Sequence, residues 1–140
     1  MYVIIMGCGR VGARLAQMLV AAGHDVMVMD VNANAFARLG SDFRGSTLLG
    51  NGIDQEVLRR AGMERADAFV AATQGDNRNI MASQIAKHVF GVKRVVTRIY
   101  DPLRSDTFAA LGLQAISPTI IGANAFYEQL TGEPITAALT

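Results

Sequence analysis

The chain has one cysteine, Cys8, in 140 residues. A lone thiol excludes an internal disulfide framework and suits a reducing compartment. Histidine is almost as scarce, with only His24 and His88, so no metal-ligand cluster forms and no metal is expected. Charge of one sign is missing too: 13 basic against 12 acidic residues leave a net +1. That balance gives no electrostatic case for nucleic acid or a membrane surface. No apolar run approaches the roughly 20 residues of a membrane span. Met1 leads straight into an apolar segment, without the basic leader and cleavage site of a signal peptide. A soluble domain without direct membrane insertion is expected, and any membrane link must come through a partner. There is no G-x-x-x-x-G-K-[ST] loop, which excludes P-loop ATPase chemistry.

What is present is concentrated in Met1–Asp30, MYVIIMGCGRVGARLAQMLVAAGHDVMVMD. An apolar run, Tyr2 to Met6, enters a loop carrying Gly7, Gly9 and Gly12. A helical pattern follows to about Ala22, Gly23 ends it, and a second apolar run, Val26 to Met29, stops at Asp30. Strand, G-x-G-x-x-G, helix, strand, acid is the context that a dinucleotide-binding fingerprint requires. Gly7 permits the tight turn, Gly9 lets a pyrophosphate approach the backbone, and Gly12 lets the helix pack on the sheet. Free amides and the positive dipole end at Arg10, Val11 and Gly12 face the phosphates. Asp30 can accept from both ribose hydroxyls, and its charge disfavours a 2′-phosphate.

Along the rest of the chain, helix and strand signals alternate. Val11, Leu15, Met18, Leu19 and Ala22 predict one buried stripe on the first helix. Asn32 or Asn34 could cap a second helix ending at Gly40. A short strand near Ser46–Leu49 precedes Gly50-Asn51-Gly52, and Asp54 can cap a helix closed by Gly62. Ala68–Ala72 is an apolar strand, followed by a long helix with Asp76 as its N-cap and Gly91 as its stop. Arg94–Ile99 is a fifth strand. Asp101-Pro102 opens a helix to Gly112, Ala115–Ile116 is a sixth strand, and Ser117-Pro118 opens a last helix that Gly132 and Pro134 break. These elements predict an α/β, Rossmann-like, doubly wound parallel six-stranded sheet of order 3-2-1-4-5-6. The domain is expected over 1–132, with a frayed tail at 133–140.

Ligands of such sheets bind beyond the carboxyl ends of the strands, near the switch point between strands one and four. The loops there supply the candidate residues. Loop 30–32 brings Val31 beside Asp30. In loop 50–54, Gly50-Asn51-Gly52-Ile53-Asp54, the glycines leave room for an adenine edge, Ile53 could pack on its face, and Asp54 could hydrogen-bond it or merely cap a helix. After strand four come Ala72, Thr73, Gln74 and Asn79, of which Thr73 and Asn79 could reach a ligand. Arg10 can swing over a phosphate and bind it bidentately, or stay solvated. Arg98 points into or away from the crevice with strand phase, and Arg78 reads more simply as an exposed helix residue. Cys8 could be a thiol activated by the helix N-terminus, although the position mainly needs a small side chain. His24, His88, Lys87 and Lys93 fall at the far end of the sheet, so the mouth lacks a His or Lys for hydride-transfer chemistry, with Tyr100 and Asp101 the only nearby substitutes. The site is built to hold a nucleotide rather than transform it; the alternative is the cofactor half of an NAD-dependent oxidoreductase.

The segments GCGRVG at 7–12, Asp30, GNGID at 50–54, AATQGDNRNI at 71–80, TRIYDP at 97–102, LG at 111–112 and SP at 117–118 together resemble one family. It is the nucleotide-binding N-terminal domain of Trk/Ktr potassium-uptake regulators and RCK channel domains (KTN, or TrkA-N). The resemblance implies a non-enzymatic module that binds NAD(H) or ATP/ADP. It implies homodimers and a higher ring assembly on the cytoplasmic face of a membrane-embedded potassium channel or transporter subunit, gating potassium transport by ligand state. By the same likeness the glycine loop with Arg10 holds phosphates, Asp30 the ribose, and Asp54 with Ala72 and Thr73 the adenosine side. Many relatives carry a further small C-terminal lobe. This sequence stops before one would fit, which suggests an isolated N-terminal domain or a truncated chain. The last helix, with Ile120, Ile121, Phe126, Tyr127 and Leu130, is expected to cover its own sheet with one face and a partner subunit with another.

Overall fold

The computed structural model describes residues 1–135. The elements are β1 (Tyr2–Met6), α1 (Arg10–Ala21), β2 (Asp25–Asp30), a 3-10 helix (Ala33–Leu39), β3 (Ser46–Leu49), α2 (Gln55–Arg60), a 3-10 turn (Met63–Arg65) and β4 (Ala68–Ala71). There follow α3 (Asp76–Gln84), which runs on into a π-helical turn (Ile85–Val89), then β5 (Arg94–Arg98), a 3-10 turn (Pro102–Arg104), α4 (Ser105–Ala110), β6 (Gln114–Ile116) and α5 (Pro118–Thr131). All strand pairs are parallel and the order is β3-β2-β1-β4-β5-β6, as the alternation of signals predicts.

Right-handed crossovers decide which face each helix covers. From β1 the chain steps outward to β2 and β3, putting α1 and the first 3-10 helix on one face. There Val3, Ile5, Val26 and Val28 pack with Ala13, Ala16, Ala35 and Leu39. It then steps the other way, to β4, β5 and β6, so α2 and α3 cover the opposite face. That core joins Ile4, Met6, Met29 and Phe69 to Leu58, Ala82 and Ala86. Strand side chains alternate between the two clusters, as a sheet buried on both faces requires.

Several helical faces differ from the periodic reading. On α1 the buried residues are Gly12, Ala13 and Ala16, while Val11 and Met18 are 40% and 55% exposed. Small residues face the sheet because α1 lies very close to β1, and the larger apolar stripe is turned sideways. On α3 and the π-helical turn after it, Ala82, Ser83 and Ala86 make the close approach, while Met81 and Val89 are exposed. Ser83 and Thr97, both buried, satisfy one another across that contact at 2.7 Å. The segment after Asn32 is a 3-10 helix, capped by the Asn32 side chain accepting from Asn34 N at 3.0 Å. Asp76 is not an N-cap. Gly75 holds that position, and the Asp76 carboxylate accepts from Tyr100 N (2.6 Å) and Asp101 N (3.0 Å), tying the exit of β5 to α3.

The last helix departs furthest. Ser117 caps α5 by accepting from Ile120 N at 3.2 Å, and Gly132 closes it in the left-handed conformation. No residue of α5 is buried, however, and Ile121, Phe126 and Leu130 are 58%, 75% and 84% exposed. It does not cover its own sheet. Of the expected tail, Glu133 N and Ile135 N donate to Thr131 Oγ1 and Glu128 Oε1, which ties 133–135 to the helix; 136–140 lie outside the described residues.

Candidate functional site

Beyond the carboxyl ends of β1, β2 and β4 lies a cleft of about 650 Å³ lined by the glycine loop, Asp30, and segments following β2, β4 and β5. Its floor is the β1–α1 turn. Gly7 has φ +109°, and a Cβ there would meet the Ala72 carbonyl group at 2.9 Å, so only glycine fits this turn. Gly7 N donates to Met29 O at 2.8 Å, which fixes the turn to β2. Gly9 caps α1 with extended backbone and no side chain serves the cap. The first-turn amides are left to a ligand, at the positive end of the helix dipole.

Asp30 is bound into this floor. Its carboxylate accepts from Cys8 N and from Asn32 N, each at 2.8 Å. The acid that closes β2 thus orders the glycine loop as well as the mouth. Each carboxylate oxygen keeps a further acceptor position. Cys8 is buried, its Sγ 3.4 Å from Ala35 O. Burial, and then the nearby Asp30 charge, push its thiol pKa up, against the opposing pull of Arg38. A protonated, enclosed thiol is a filler, not a nucleophile.

Cations face that single carboxylate across the cleft: Arg10, Arg38, Arg78 and Arg98 all line it. Arg38 holds the loop through Nη1 to Cys8 O at 3.4 Å. Arg98 lies beside the Tyr100 ring, 5.5 Å from its centroid, and its Nε is buried without a hydrogen-bond partner among the described residues. A buried donor without a partner costs free energy unless a ligand supplies one.

Among the sequence candidates, Gly7, Cys8, Gly9, Arg10, Val11, Asp30, Thr73, Gln74 and Arg98 line the cleft together. Gly12 lies beneath it, against Gly7. Val31 is exposed beside Asp30. Asn51, Gly52, Ile53 and Asp54 form the separate turn after β3, where Asn51 Oδ1 accepts from Ile53 N (3.1 Å) and Asp54 Oδ1 from Glu56 N (2.9 Å). Asp54 therefore caps α2. Ala72 is buried under the Gly7 turn. Sequence reasoning missed Arg38, Asn32 and Ala35, and set Arg78 aside. Asn32 read only as a helix cap, and Ala35 and Arg38 lie past the strand-end loop, on the 3-10 helix that folds back over the mouth. The position of Arg38, eight residues after Asp30, was the available signal.

Asn79 works from behind. Fully buried, it donates through Nδ2 to Thr73 O (2.9 Å) and Arg98 O (3.1 Å), and Oδ1 accepts from Thr73 N (3.1 Å) and Thr73 Oγ1 (2.6 Å). It thereby clamps the β4 exit to the end of β5. Asn79→Ala leaves several buried groups unpaired and is expected to cost about 3 kcal/mol. Thermal unfolding should register this as a drop of about 10 °C in Tm.

A family profile described as the TrkA-N domain matches residues 3–118. The Trk system potassium uptake protein TrkA of Streptomyces coelicolor is 49% identical over 117 residues, covering 84% of this chain and 52% of the relative. The chain thus spans about half the length of that relative. Among solved structures, the GsuK channel bound to NAD aligns with TM-score 0.80 at 24% identity, over 92% of this chain and 23% of that one. The Shewanella denitrificans Kef CTD in AMP-bound form aligns with TM-score 0.81 at 21% identity, over 95% and 83%. At these identities the two structures carry the fold alone.

Proposed function

The chain belongs to the TrkA-N domain family, and from that premise we propose that it is a nucleotide-sensing regulatory domain of a potassium-uptake system. The observation that carries this reading is the cleft itself. Uncapped amides of α1 and four guanidiniums, one with a buried unpartnered donor, converge on a space whose lining holds one carboxylate. In this reading it is an anion site for the phosphates of a nucleotide, and Asp30 takes the ribose. Relatives named for potassium uptake, and neighbours bound to NAD and AMP, support the ligand class. NAD(H) and ATP/ADP both meet the requirement of an unmodified adenosine ribose and at least one phosphate.

The ligand is held and left unchanged. The cleft lining contains no imidazole or ammonium, arginine does not exchange protons near neutral pH, and the one carboxylate, Asp30, is held by Cys8 N and Asn32 N, which supports a site that holds its ligand over one equipped for hydride transfer. Control comes instead from differential binding: a ligand shifts only an equilibrium whose states it binds unequally. Arg10, Val11 and Arg98 line both the cleft and a neighbouring apolar groove. Phosphates therefore act on side chains that also wall a second surface. In this reading the domain works as a homodimer joined through α5, within a larger ring beneath a membrane-embedded potassium channel or transporter on the cytoplasmic side. Among the described residues no helix is long and apolar enough to cross a membrane; in this reading the membrane-embedded partner carries the ions.

Thermal-shift titration with NADH, NAD, ATP, ADP, AMP and NADP tests the reading. Stabilisation is expected from ligands with a free 2′-hydroxyl and weaker stabilisation from NADP. At a ligand concentration of about 100 Kd the gain is roughly 2.7 kcal/mol. Absence of any shift would overturn the nucleotide assignment, and oxidation of NADH with a carbonyl substrate would favour the oxidoreductase alternative.

A further inference from the structure

The four guanidiniums of the cleft are not placed alike. Arg10 and Arg98 stand on the α1 and β5 side, where they also line the apolar groove walled by Val11, Leu15 and Met18. Arg78 comes from α3, past the β4 exit. Arg38 alone comes from the 3-10 helix after β2, the element that begins just beyond Asp30. Its backbone is fixed. Ala35 and Leu39 of the same helix are buried, and Gln17 Nε2 donates to Arg38 O at 3.3 Å and to Leu39 O at 3.1 Å. Its side chain is exposed. Of the five N–H donors of a guanidinium group, the described residues use one, from Nη1 to Cys8 O.

Asp30 takes the N–H of that same Cys8, so the two charges flank one residue. After burial, they are the charges felt by its thiol, Asp30 raising the pKa and Arg38 lowering it. They are not an ion pair: among the described residues, the salt bridges within 4 Å are those of Arg59. Asn32 adds a neutral donor at this end of the cleft. Its Oδ1 accepts from Asn34 N, which leaves Nδ2 without a partner among the described residues. We propose that Arg38, assisted by Asn32, holds a phosphate on the 2′-oxygen of the ribose and so sets how far the cleft tolerates NADP beside NAD. Asp30 by itself repels that group. A forked guanidinium beside the carboxylate offsets the repulsion, since it can grip a phosphate through two N–H groups. The cleft then takes both cofactors, NADP the more weakly, and Asp30 and Arg38 pull their ratio in opposite directions. The inference rests on the nucleotide reading above and adds to it the residue that decides ribose specificity.

Isothermal titration calorimetry with NAD and NADP tests it, on the parent chain and on Arg38→Gln, Arg38→Lys and Arg98→Gln. NADP is expected to bind the parent within about tenfold of NAD. Arg38→Gln lowers both affinities, because it also releases Cys8 O, but lowers that for NADP by at least about tenfold more. Arg38→Lys keeps the charge without the fork and falls between. Arg98→Gln weakens both cofactors alike and leaves their ratio where it was. Adenosine 2′,5′-diphosphate against AMP repeats the comparison without the nicotinamide half, and its ratio should follow Arg38 in the same way. Apo unfolding verifies that each variant is folded, as an exposed side chain allows. A ratio unmoved by Arg38→Gln, or moved as far by Arg98→Gln, overturns the 2′-phosphate site. So does a parent chain that binds NAD but not millimolar NADP. These results leave the nucleotide reading standing. Binding of no nucleotide at all overturns that reading and the inference with it.

Discussion

Asp30→Asn is expected to lower affinity for NAD, ADP and AMP by at least roughly 100-fold. The arithmetic starts from the free acceptor positions of the carboxylate. Two ribose hydroxyls donating to a charged group contribute about 1.5 kcal/mol or more each, and 1.4 kcal/mol is a factor of ten. The substitution harms the loop as well. Both carboxylate oxygens are already in use, Oδ2 by Cys8 N and Oδ1 by Asn32 N. Asparagine keeps one oxygen, so its NH2 must face one of those N–H groups, donor against donor. That is the unfavourable arrangement of a polar group whose partner has been removed. Isothermal titration calorimetry measures the affinities, and apo unfolding measures the loop term separately. NADP discriminates further. Removing the carboxylate charge removes its repulsion of a 2′-phosphate, so the preference for NAD over NADP should narrow. Unchanged NAD affinity in this variant would remove Asp30 from the ribose.

Alternating apolar runs and glycine stops carried the sheet order, because crossover handedness leaves few ways to arrange them. The fingerprint carried the cleft floor for a similar reason: each glycine answers to one steric demand. What periodicity misjudged was the size of the residue at a close approach. Val11 and Met18 are larger and more apolar than Ala13 and Ala16, so they read as core, but α1 sits too near β1 to bury them. The same error hid the groove, whose wall is that stripe. Asn79 and Asp76 looked like mouth and cap residues from their positions in a loop. Asn79 also turns back on Thr73, but its bond to Arg98 O and the bonds of Asp76 to Tyr100 N and Asp101 N span 19 to 25 residues, and such distant pairings leave no local sequence signal. Arg38 was missed because it lies beyond the loop that ends β2, on a 3-10 helix that returns over the cleft.

Gly12→Ala and Gly9→Ala, three residues apart, are expected to fail in different ways. At Gly12 an added Cβ would stand 1.9 Å from Gly7 O and 3.0 Å from Gly7 C. Both are backbone atoms of a turn held by Gly7 N to Met29 O, so neither can rotate aside. Helix and turn must separate by more than 1 Å to reach ordinary contact. Alanine improves helix propensity by about 1 kcal/mol, but overpacking costs up to about 3 kcal/mol and more against rigid backbone. The apo protein should lose on the order of 10 °C in Tm, and nucleotide stabilisation should vanish with the displaced amides. At Gly9 a Cβ meets nothing within 4 Å, and φ is −82°, so alanine fits. The apo Tm should move by no more than a few degrees, since glycine and alanine caps differ by less than about 1 kcal/mol. Affinity should still fall at least about tenfold, because the methyl group occupies the surface that a pyrophosphate must approach. The pair separates folding from binding at one turn. If Gly9→Ala binds NAD as tightly as the parent chain, the phosphates lie elsewhere, and the guanidiniums around the cleft serve another anion.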